Sequence, residues 1–390
     1  MARVYFLALS YPNQQNPVRS IFIHELAKGF VKIGSDVVVI TKKQTRTEEA
    51  YWEERGVKIR RIRYPKYLGL MYFFLTTFFS ILRTPTQKKP QIIHSHYAGV
   101  NSIVGLMISK LLRIPHVVST HGADIMPHLQ KTFTSSLKDI FVDLSLKYSD
   151  CIICNSWFTV SLAKLRPTKK ISVINPGVDL DRFFPIDQSI AKSELNIENH
   201  PVLLSVGGLN RKKGQDTVVK ILPRLLEKFP KIVYLILGRG PEEENLKMLV
   251  KKLNVDQAVK FIKPPPLESV PMYFNACDVF LLMSRTVPEE KDAESFGIVY
   301  LEASACGKPV IAGKSGGTGE AVEEGVTGFR IDPWDTEALT DVLVKLLDNP
   351  KMRTELGKRG RNRAVSQFGW ATKAKETIEI YKKLLEKKMS

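Results

Sequence analysis

Short, largely apolar runs recur through this chain with amphipathic stretches of helical length between them, and that alternation limits its fold more than any other feature. The runs lie at residues 3–10, 36–41, 92–96, 116–120, 151–155 and 171–175, and again at 202–206, 233–237, 259–262, 279–283 and 309–312. Strands that are apolar on both faces need cover on both faces, as in a parallel sheet flanked by helices. Two such series predict an α/β chain with two doubly wound, Rossmann-like parallel-sheet domains. The polar stretch 181–200 has no strand pattern and separates them. Beyond Asp335 only helices are expected, the last over 370–388 with Ile378, Tyr381, Leu384 and Leu385 at helical spacing. The predicted division is 1–178, 179–367 and a closing helix 368–390.

A chain of 390 residues with 44% hydrophobic and 25% charged residues is ordinary globular material, which excludes disorder and fibrous architectures. The longest uncharged apolar stretch, 67–82, is shorter than the ~20 residues needed to cross a bilayer, and no leader peptide is visible, so a cytoplasmic location is expected. Residues 1–178 hold 25 Lys/Arg against 10 Asp/Glu, whereas the remainder holds 33 against 30. A field concentrated in one half attracts nucleic acid, anionic headgroups or phosphorylated substrates without choosing among them. None of the basic-aromatic modules of nucleic-acid readers is present, so no nucleic-acid partner is expected. Cys151 and Cys154 alternate along a strand, pointing to opposite faces, and Cys277 and Cys306 have no second pair; all four read as reduced core or surface residues.

Ligands of open parallel sheets bind at the carboxyl ends of strands, which directs attention to the strand-to-helix loops. In 294–303, Glu-Ser-Phe-Gly-Ile-Val-Tyr-Leu-Glu-Ala, Ser295 reads as a helix N-cap. The amides of Phe296, Gly297 and Ile298 would then be open to an anion. Glu302 further along the helix can accept both hydroxyls of a ribose, and Glu294 the hydroxyls of a bound sugar. The loop 207–214 combines Gly207 and Gly208 with Arg211, Lys212 and Lys213, backbone and charge suited to a diphosphate. Gly316 and Gly317 bring flexible backbone to another strand end. In the first half, His121 and Asp124 follow the 116–120 strand, where His121 can contact a sugar or carry a proton. His94 and His96 fall on one face of their strand without an evident third metal ligand, and Asp179 and Asp181 are too little to claim one.

These motifs, in order, make the chain resemble the family-four glycosyltransferases with the GT-B fold, a group that includes bacterial glycogen synthases, sucrose synthases and phosphatidylinositol mannosyltransferases. The most specific is Glu294-x7-Glu302 followed by Gly307-Lys308-Pro309 and Gly316-Gly317. It is joined by Asn175-Pro176-Gly177, Thr120-His121-Gly122, Lys213-Gly214 and Phe368-Gly369-Trp370. The resemblance covers essentially the whole chain. It implies a retaining enzyme that moves a sugar from a nucleotide-diphosphate sugar to an acceptor hydroxyl, without a metal or other cofactor. It places Glu302 on the ribose, Lys213 on the diphosphate, Glu294 and the 296–298 amides on the sugar, and His121 near the donor sugar, with two domains about a cleft and the last helix crossing back to the first domain. Lys213→Ala and Glu302→Gln are expected to cut transfer without unfolding the protein.

Two departures shift assignments. Gly208 stands where the family often has Arg, so Arg211 is read as the second cation. The segment Asn16-Pro17-Val18-Arg19-Ser20 replaces the usual Gly-Gly loop beside the phosphates, so Arg19 is read as supplying charge there, and Arg19, Ser20, His121 and Asp124 are read together as the acceptor and phosphate side. Lys58, Arg60, Arg61, Arg63 and Lys66 precede the uncharged stretch 67–82, and Arg83, Lys88 and Lys89 follow it. That pattern suits a glycolipid or lipid-linked acceptor and peripheral attachment to the inner face of an anionic membrane. The alternatives are a helix packed on the first sheet with a soluble acceptor, or a nucleotide-sugar epimerase using the same donor pocket.

Overall fold

The structure is a computed structural model that describes residues 3–13, 15–43, 45, 48–66, 68–126, 133–287, 289 and 292–389. It forms two units, Met1–Gly177 with Trp370–Ser390, and Val178–Gly369.

In the first unit, strands β1 (Val4–Leu7), β2 (Val37–Lys42), β3 (Tyr51–Glu54), β4 (Val57–Ile62), β5 (Ile92–His96), β6 (His116–Thr120), β7 (Cys151–Cys154) and β8 (Ile171–Val173) make one sheet. Its order is β3-β4-β2-β1-β5-β6-β7-β8, parallel except for the β3–β4 hairpin. Helix α1 (Ile21–Lys32) and the C-terminal helix Trp370–Met389 pack on one face through Phe30, Ile378 and Tyr381 against Phe6, Val39, Ile59 and Cys151. The other face is covered by α2 (Gly69–Leu82), α3 (Val100–Leu112), α4 (Phe133–Tyr148) and α5 (Trp157–Ala163). Cys151 and Cys154 are buried free thiols in opposite-face clusters, as strand alternation requires.

The β3–β4 hairpin escapes a search for apolar runs because one face of it is charged. It turns at Arg55 and Gly56, both at positive φ (49° and 79°). Helix α2 is uncharged over all 14 residues. Gly69, Phe73, Thr77 and Ile81, one position per turn, are buried on the sheet, while Met71, Tyr72, Leu75, Phe79 and Leu82 are exposed. Tyr67, the first residue of the expected stretch, lies outside the described residues. Among the described residues no helix is long and apolar enough to cross a membrane.

The second unit is a six-stranded parallel sheet of β9 (Val202–Val206), β10 (Val233–Leu237), β11 (Val259–Ile262), β12 (Val279–Leu282), β13 (Val310–Gly313) and β14 (Gly328–Ile331), ordered β11-β10-β9-β12-β13-β14. Its helices are α6 (Gln188–Glu194), α7 (Gln215–Lys228), α8 (Glu243–Lys252), α9 (Val270–Ala276), α10 (Ile298–Ala305), α11 (Thr318–Ala321), α12 (Thr336–Asp348) and α13 (Pro350–Gln367). Alternate residues of β9 supply the two cores, Leu204 and Val206 to one face and Leu203 to the other. Each sheet has one place where successive strands stop adding to one side and begin on the other. In the first unit it lies between β1 and β5, and in the second between β9 and β12. Loops leaving such a pair diverge and leave a crevice at the strands' carboxyl ends.

Candidate active site

At the crevice of the second unit the loops after β9 and β12 bring a cation onto a carboxylate. Lys213, in a single 3-10 turn over Arg211–Lys213, places Nζ 2.5 Å from Glu294 Oε2. Glu294 is only 9% exposed, so this is a desolvated pair. Burial alone would raise the Glu294 carboxyl, but the Lys213 ammonium offsets that and holds it below the usual carboxylate range. The Ser284 hydroxyl adds a 3.3 Å contact to the same oxygen. The turn depends on Gly214 (φ 64°): a Cβ there would lie 2.0 Å from the Met283 carbonyl oxygen, so only glycine lets the β9 loop come this close to β12. The Gly317 amide donates to the Glu294 carbonyl at 2.8 Å, which ties the glycine loop after β13 to the same point.

Helix α10 begins later than Ser295. Its N-cap is Gly297 (φ 94°), with no side-chain capping bond, and a Cβ at 297 would strike the Tyr300 ring at 2.4 Å. Ser295 therefore does not cap, and the first-turn amides belong to Ile298 and Val299 rather than to Phe296; the Tyr300 amide bonds back to the Gly297 carbonyl at 3.1 Å. Phe296 is instead buried in the core. Glu302 is half-buried, four residues on from Ile298 and thus on the same stripe of α10. Gly208 and Arg211 are exposed, and the Arg211 carbonyl accepts from Arg285 Nε at 2.7 Å.

Arg285, which the sequence reading passed over, is the buried arginine of this site. It bonds Asp216 at 2.8 Å and stacks over Trp334 at 4.4 Å from the ring centroid. Its signal in the sequence was its position just beyond the end of β12, beside the crevice.

The crevice of the first unit is also polar. Ser20 occupies the N-cap of α1 at φ 50° and makes no capping bond. Its hydroxyl lies 2.8 Å from the Tyr97 hydroxyl and 2.9 Å from that of Ser10, to which Arg19 Nε donates at 3.0 Å. Tyr97 is itself at φ 71°. Two non-glycine residues in the left-handed region, each costing of order 1–3 kcal/mol, meet side chain to side chain at a strand-order reversal. Tyr97 also packs against His121, ring centroids 4.8 Å apart, and Asp124 accepts from the amides of Ala98 (2.7 Å) and His121 (2.8 Å). Burial pushes Asp124 up to about 6 and His121 down to about 3, so His121 is a neutral hydrogen-bonding group near neutral pH.

His94 and His96 do share a face, with stacked rings 4.4 Å apart. His94 is taken up by Tyr381 and Ser119, and no cluster of three or more His, Cys, Asp or Glu among the described residues could hold a metal. Asp179 is occupied by the Asp181 amide (3.1 Å) and by Arg182 (3.5 Å).

Residues 20–182 match the family description Glycosyltransferase Family 4, and residues 187–363 match Glycosyl transferases group 1. A GDP-mannose-dependent alpha-(1-6)-phosphatidylinositol monomannoside mannosyltransferase of Mycolicibacterium smegmatis is 34% identical over 268 residues, 68% of this chain and 69% of its own. The chain is a family-4 glycosyltransferase. A D-inositol 3-phosphate glycosyltransferase of Kribbella flavida is 28% identical over 94% of this chain and 91% of its own. Among solved structures, a sucrose-phosphate synthase from Thermosynechococcus elongatus superposes with a TM-score of 0.79 at 21% identity, covering 99% of this chain and 100% of that one. Anabaena HepE in complex with UDP-glucose gives 0.77 at 21% identity, covering 98% and 100%. The shared architecture is the GT-B fold of two Rossmann-like units.

In this glycosyltransferase the structure joins Lys213, Glu294 and Gly317 at one crevice and Arg19, Ser20, His121 and Asp124 near the other. Tyr97, Ser10, Ser284 and Arg285 complete them. Tyr97 was findable as the first residue beyond β5; Ser10 lies in an irregular loop without a motif.

Proposed function

We propose that this glycosyltransferase is a retaining enzyme that transfers a hexosyl group from a nucleoside-diphosphate sugar to a hydroxyl of a phosphate-bearing, lipid-linked acceptor at a membrane surface. The observation that carries the donor half is the desolvated Lys213–Glu294 contact at the second unit's crevice. A diphosphate arriving at Lys213 takes over its charge and releases Glu294 to accept hydrogen bonds from the sugar. As the glycosidic bond breaks, negative charge grows on the diphosphate, and a cation held in a desolvated loop stabilises it without reorganising. In this reading Lys213 serves in place of a metal, Glu302 holds the ribose, and Arg211 adds charge at the loop's exposed side.

The acceptor half rests on the Ser10, Arg19, Ser20 and Tyr97 cluster, a set of hydroxyls and one guanidinium suited to a phosphate, with neutral His121 beside it. The activities for which two relatives are named support a phosphorylated inositol in the acceptor, lipid-borne for the Mycolicibacterium smegmatis mannosyltransferase and free for the Kribbella flavida glycosyltransferase. The cation excess of residues 1–178 and the uncharged, half-exposed helix α2 favour the lipid-borne form. Retention of configuration follows from the family resemblance. The test is transfer from GDP-mannose, with UDP- and ADP-sugars in parallel, to phosphatidylinositol mannoside in vesicles and to soluble inositol phosphate, with the anomeric configuration of product read by NMR. Transfer to inositol phosphate alone makes the soluble acceptor the correct reading; an inverted product removes the retaining mechanism.

A further inference from the structure

On the face of the first sheet that carries α2, the helix leaves the β3–β4 edge uncovered. Tyr5, Val38 and Lys58 stand in one cross-strand row there, and Ile40, Arg60 and Tyr51 in the next. Between this edge and the helix lies a groove of about 1020 Å³. Its walls are Tyr51 from the hairpin and Tyr72, Leu75 and Phe79 from α2, which are exposed by 67, 42, 38 and 50%. A helix without a charge in 14 residues normally lies wholly inside a core or in lipid; this one is fully buried along one stripe, with Leu70, Phe74 and Phe78 half-buried beside it and Tyr72, Leu75 and Phe79 exposed.

The rim is cationic. Lys58, Arg60 and Arg83 border the groove, with Arg60 stacked 5.3 Å over the Tyr51 ring and Arg83 at the α2 C-terminus, where a cation is favoured. Glu53 borders it as well, and Lys58 reaches Asp36 at 3.1 Å, so the surplus charge comes from Arg60 and Arg83. Walls of Tyr51, Tyr72, Leu75 and Phe79, with the Ser80 and Thr84 hydroxyls already donated to carbonyls of α2, suit a flexible hydrocarbon, and a cationic rim suits an anionic headgroup. The size matches or exceeds that of pockets taking drug-sized ligands, ~300–1,000 Å³.

We infer that the groove between α2 and the β3–β4 hairpin binds a hydrocarbon chain of an anionic lipid, with the headgroup phosphate on Arg60 and Arg83. The inference extends the lipid-acceptor reading above by giving the lipid's chain a seat in the protein, and it can be tested without any sugar transfer. Calorimetric titration with lysophosphatidylglycerols of 10, 12 and 14 carbons, below their critical micelle concentrations, is expected to show saturable binding of one amphiphile per protein. Affinity rises up to about fourfold per methylene and levels off once the groove is filled. Leu75→Asp, which puts a carboxylate in the wall, and Ser80→Trp, which fills the groove from the half-buried helix side, should each weaken binding at least tenfold. Paired Arg60→Ser and Arg83→Ser changes should remove the preference over the zwitterionic choline analogue. Circular dichroism identifies any variant that fails to fold, and the remaining one decides. Non-saturable uptake, or wild-type affinity in a groove variant that folds, overturns the proposal. Absence of transfer with every acceptor, alongside saturable amphiphile binding, would overturn the proposed function and leave the groove standing.

Discussion

His94 Nδ1 lies 2.6 Å from the Tyr381 hydroxyl, joining the central part of the first sheet to the C-terminal helix, 287 positions away in the chain. Both side chains are fully buried, and His94 Nε2 is held by Ser119 at 2.7 Å, so both ring nitrogens are engaged. Tyr381→Phe leaves one ring nitrogen unsatisfied in a dry core and should cost about 1–3 kcal/mol. Tyr381→Ala adds a cavity beside Phe30 and should cost about 3–5 kcal/mol. Urea unfolding of both variants checks this; a wild-type midpoint for Tyr381→Phe would mean the bond contributes nothing.

Four histidines of this unit make folding sensitive to acid. Burial drives His94, His116 and His121 down to about 3 and His96 well below its ordinary value; neither ring nitrogen of His96 has a hydrogen-bond partner among the described residues. The unfolded chain takes up these protons from about pH 6.5 downward while the folded chain resists them until about pH 3. Stability is therefore complete above pH 6.5 and falls as pH drops from there toward 3, by as much as about 1.4 kcal/mol per pH unit for each such histidine. Asp124, raised to about 6, acts in the opposite sense: the folded state binds its proton first between about 6 and the unfolded carboxyl value. One group opposes four. Unfolding midpoints at pH 9, 8 and 5 should be similar for the first two and lower for the third, and a flat profile would contradict the buried neutral stack.

The Lys213–Glu294 pair changes an expectation drawn from sequence. With Glu294 buried against it, Lys213→Ala strands a desolvated carboxylate and should cost about 3–5 kcal/mol of stability as well as transfer. The double variant Lys213→Met with Glu294→Gln should recover much of that stability while remaining inactive. Glu302→Gln, on a half-exposed stripe of α10, should leave the unfolding midpoint near wild type and reduce kcat/KM by roughly 10- to 150-fold, about 1.5–3 kcal/mol. The cycle is read by thermal unfolding and initial rates together. Equal stability of Lys213→Ala and the double variant would remove the coupling.

Most of this was legible where burial enforces a pattern. Strands such as Val202–Val206 are apolar on both faces because helices cover both, and a parallel sheet with crossover helices follows from little else. The β3–β4 hairpin and the start of α10 were hidden for different reasons. In the hairpin, Lys58 and Arg60 interrupt the apolar pattern because that face borders a groove. At α10, Ser295 has the capping residue type, yet Gly297 takes the N-cap because the backbone there needs φ 94° beside the Tyr300 ring. Contacts between distant loops, such as Arg285 with Asp216 or Ser20 with Tyr97, carry no local signal beyond their places at strand ends.

Transfer should be independent of divalent metal. Lys213 can neutralise the leaving diphosphate directly, and Asp179 at the junction is already engaged by Arg182. Initial rates in excess EDTA should equal those in buffer alone; inhibition reversed by magnesium or manganese would show that a metal supplies the charge.

Membrane binding should depend on which face of β4 a cation occupies. Lys58 and Arg60 share the face of Ile62, whose neighbours include Phe73 of α2, whereas Arg61 points with Val57 and Ile59 toward the α1 side. Sequence alone groups Arg60, Arg61 and Arg63 as equivalent attachments. If the exposed stripe of α2 rests in the interface, Arg60 and Arg83 lie beside the headgroups, each contributing about 1 kcal/mol with anionic lipid, and Arg61 is held away from them. Sedimentation with vesicles of increasing phosphatidylglycerol content should show binding that rises with anionic lipid and falls with salt. Arg60→Ser with Arg83→Ser should weaken it by roughly 30-fold, about 2 kcal/mol for two charges. Arg61→Ser should weaken it far less. Equal effects of Arg60→Ser and Arg61→Ser would mean that attraction is diffuse and α2 does not orient the protein, and a protein left in the supernatant at low salt with anionic vesicles would exclude this face as a membrane contact.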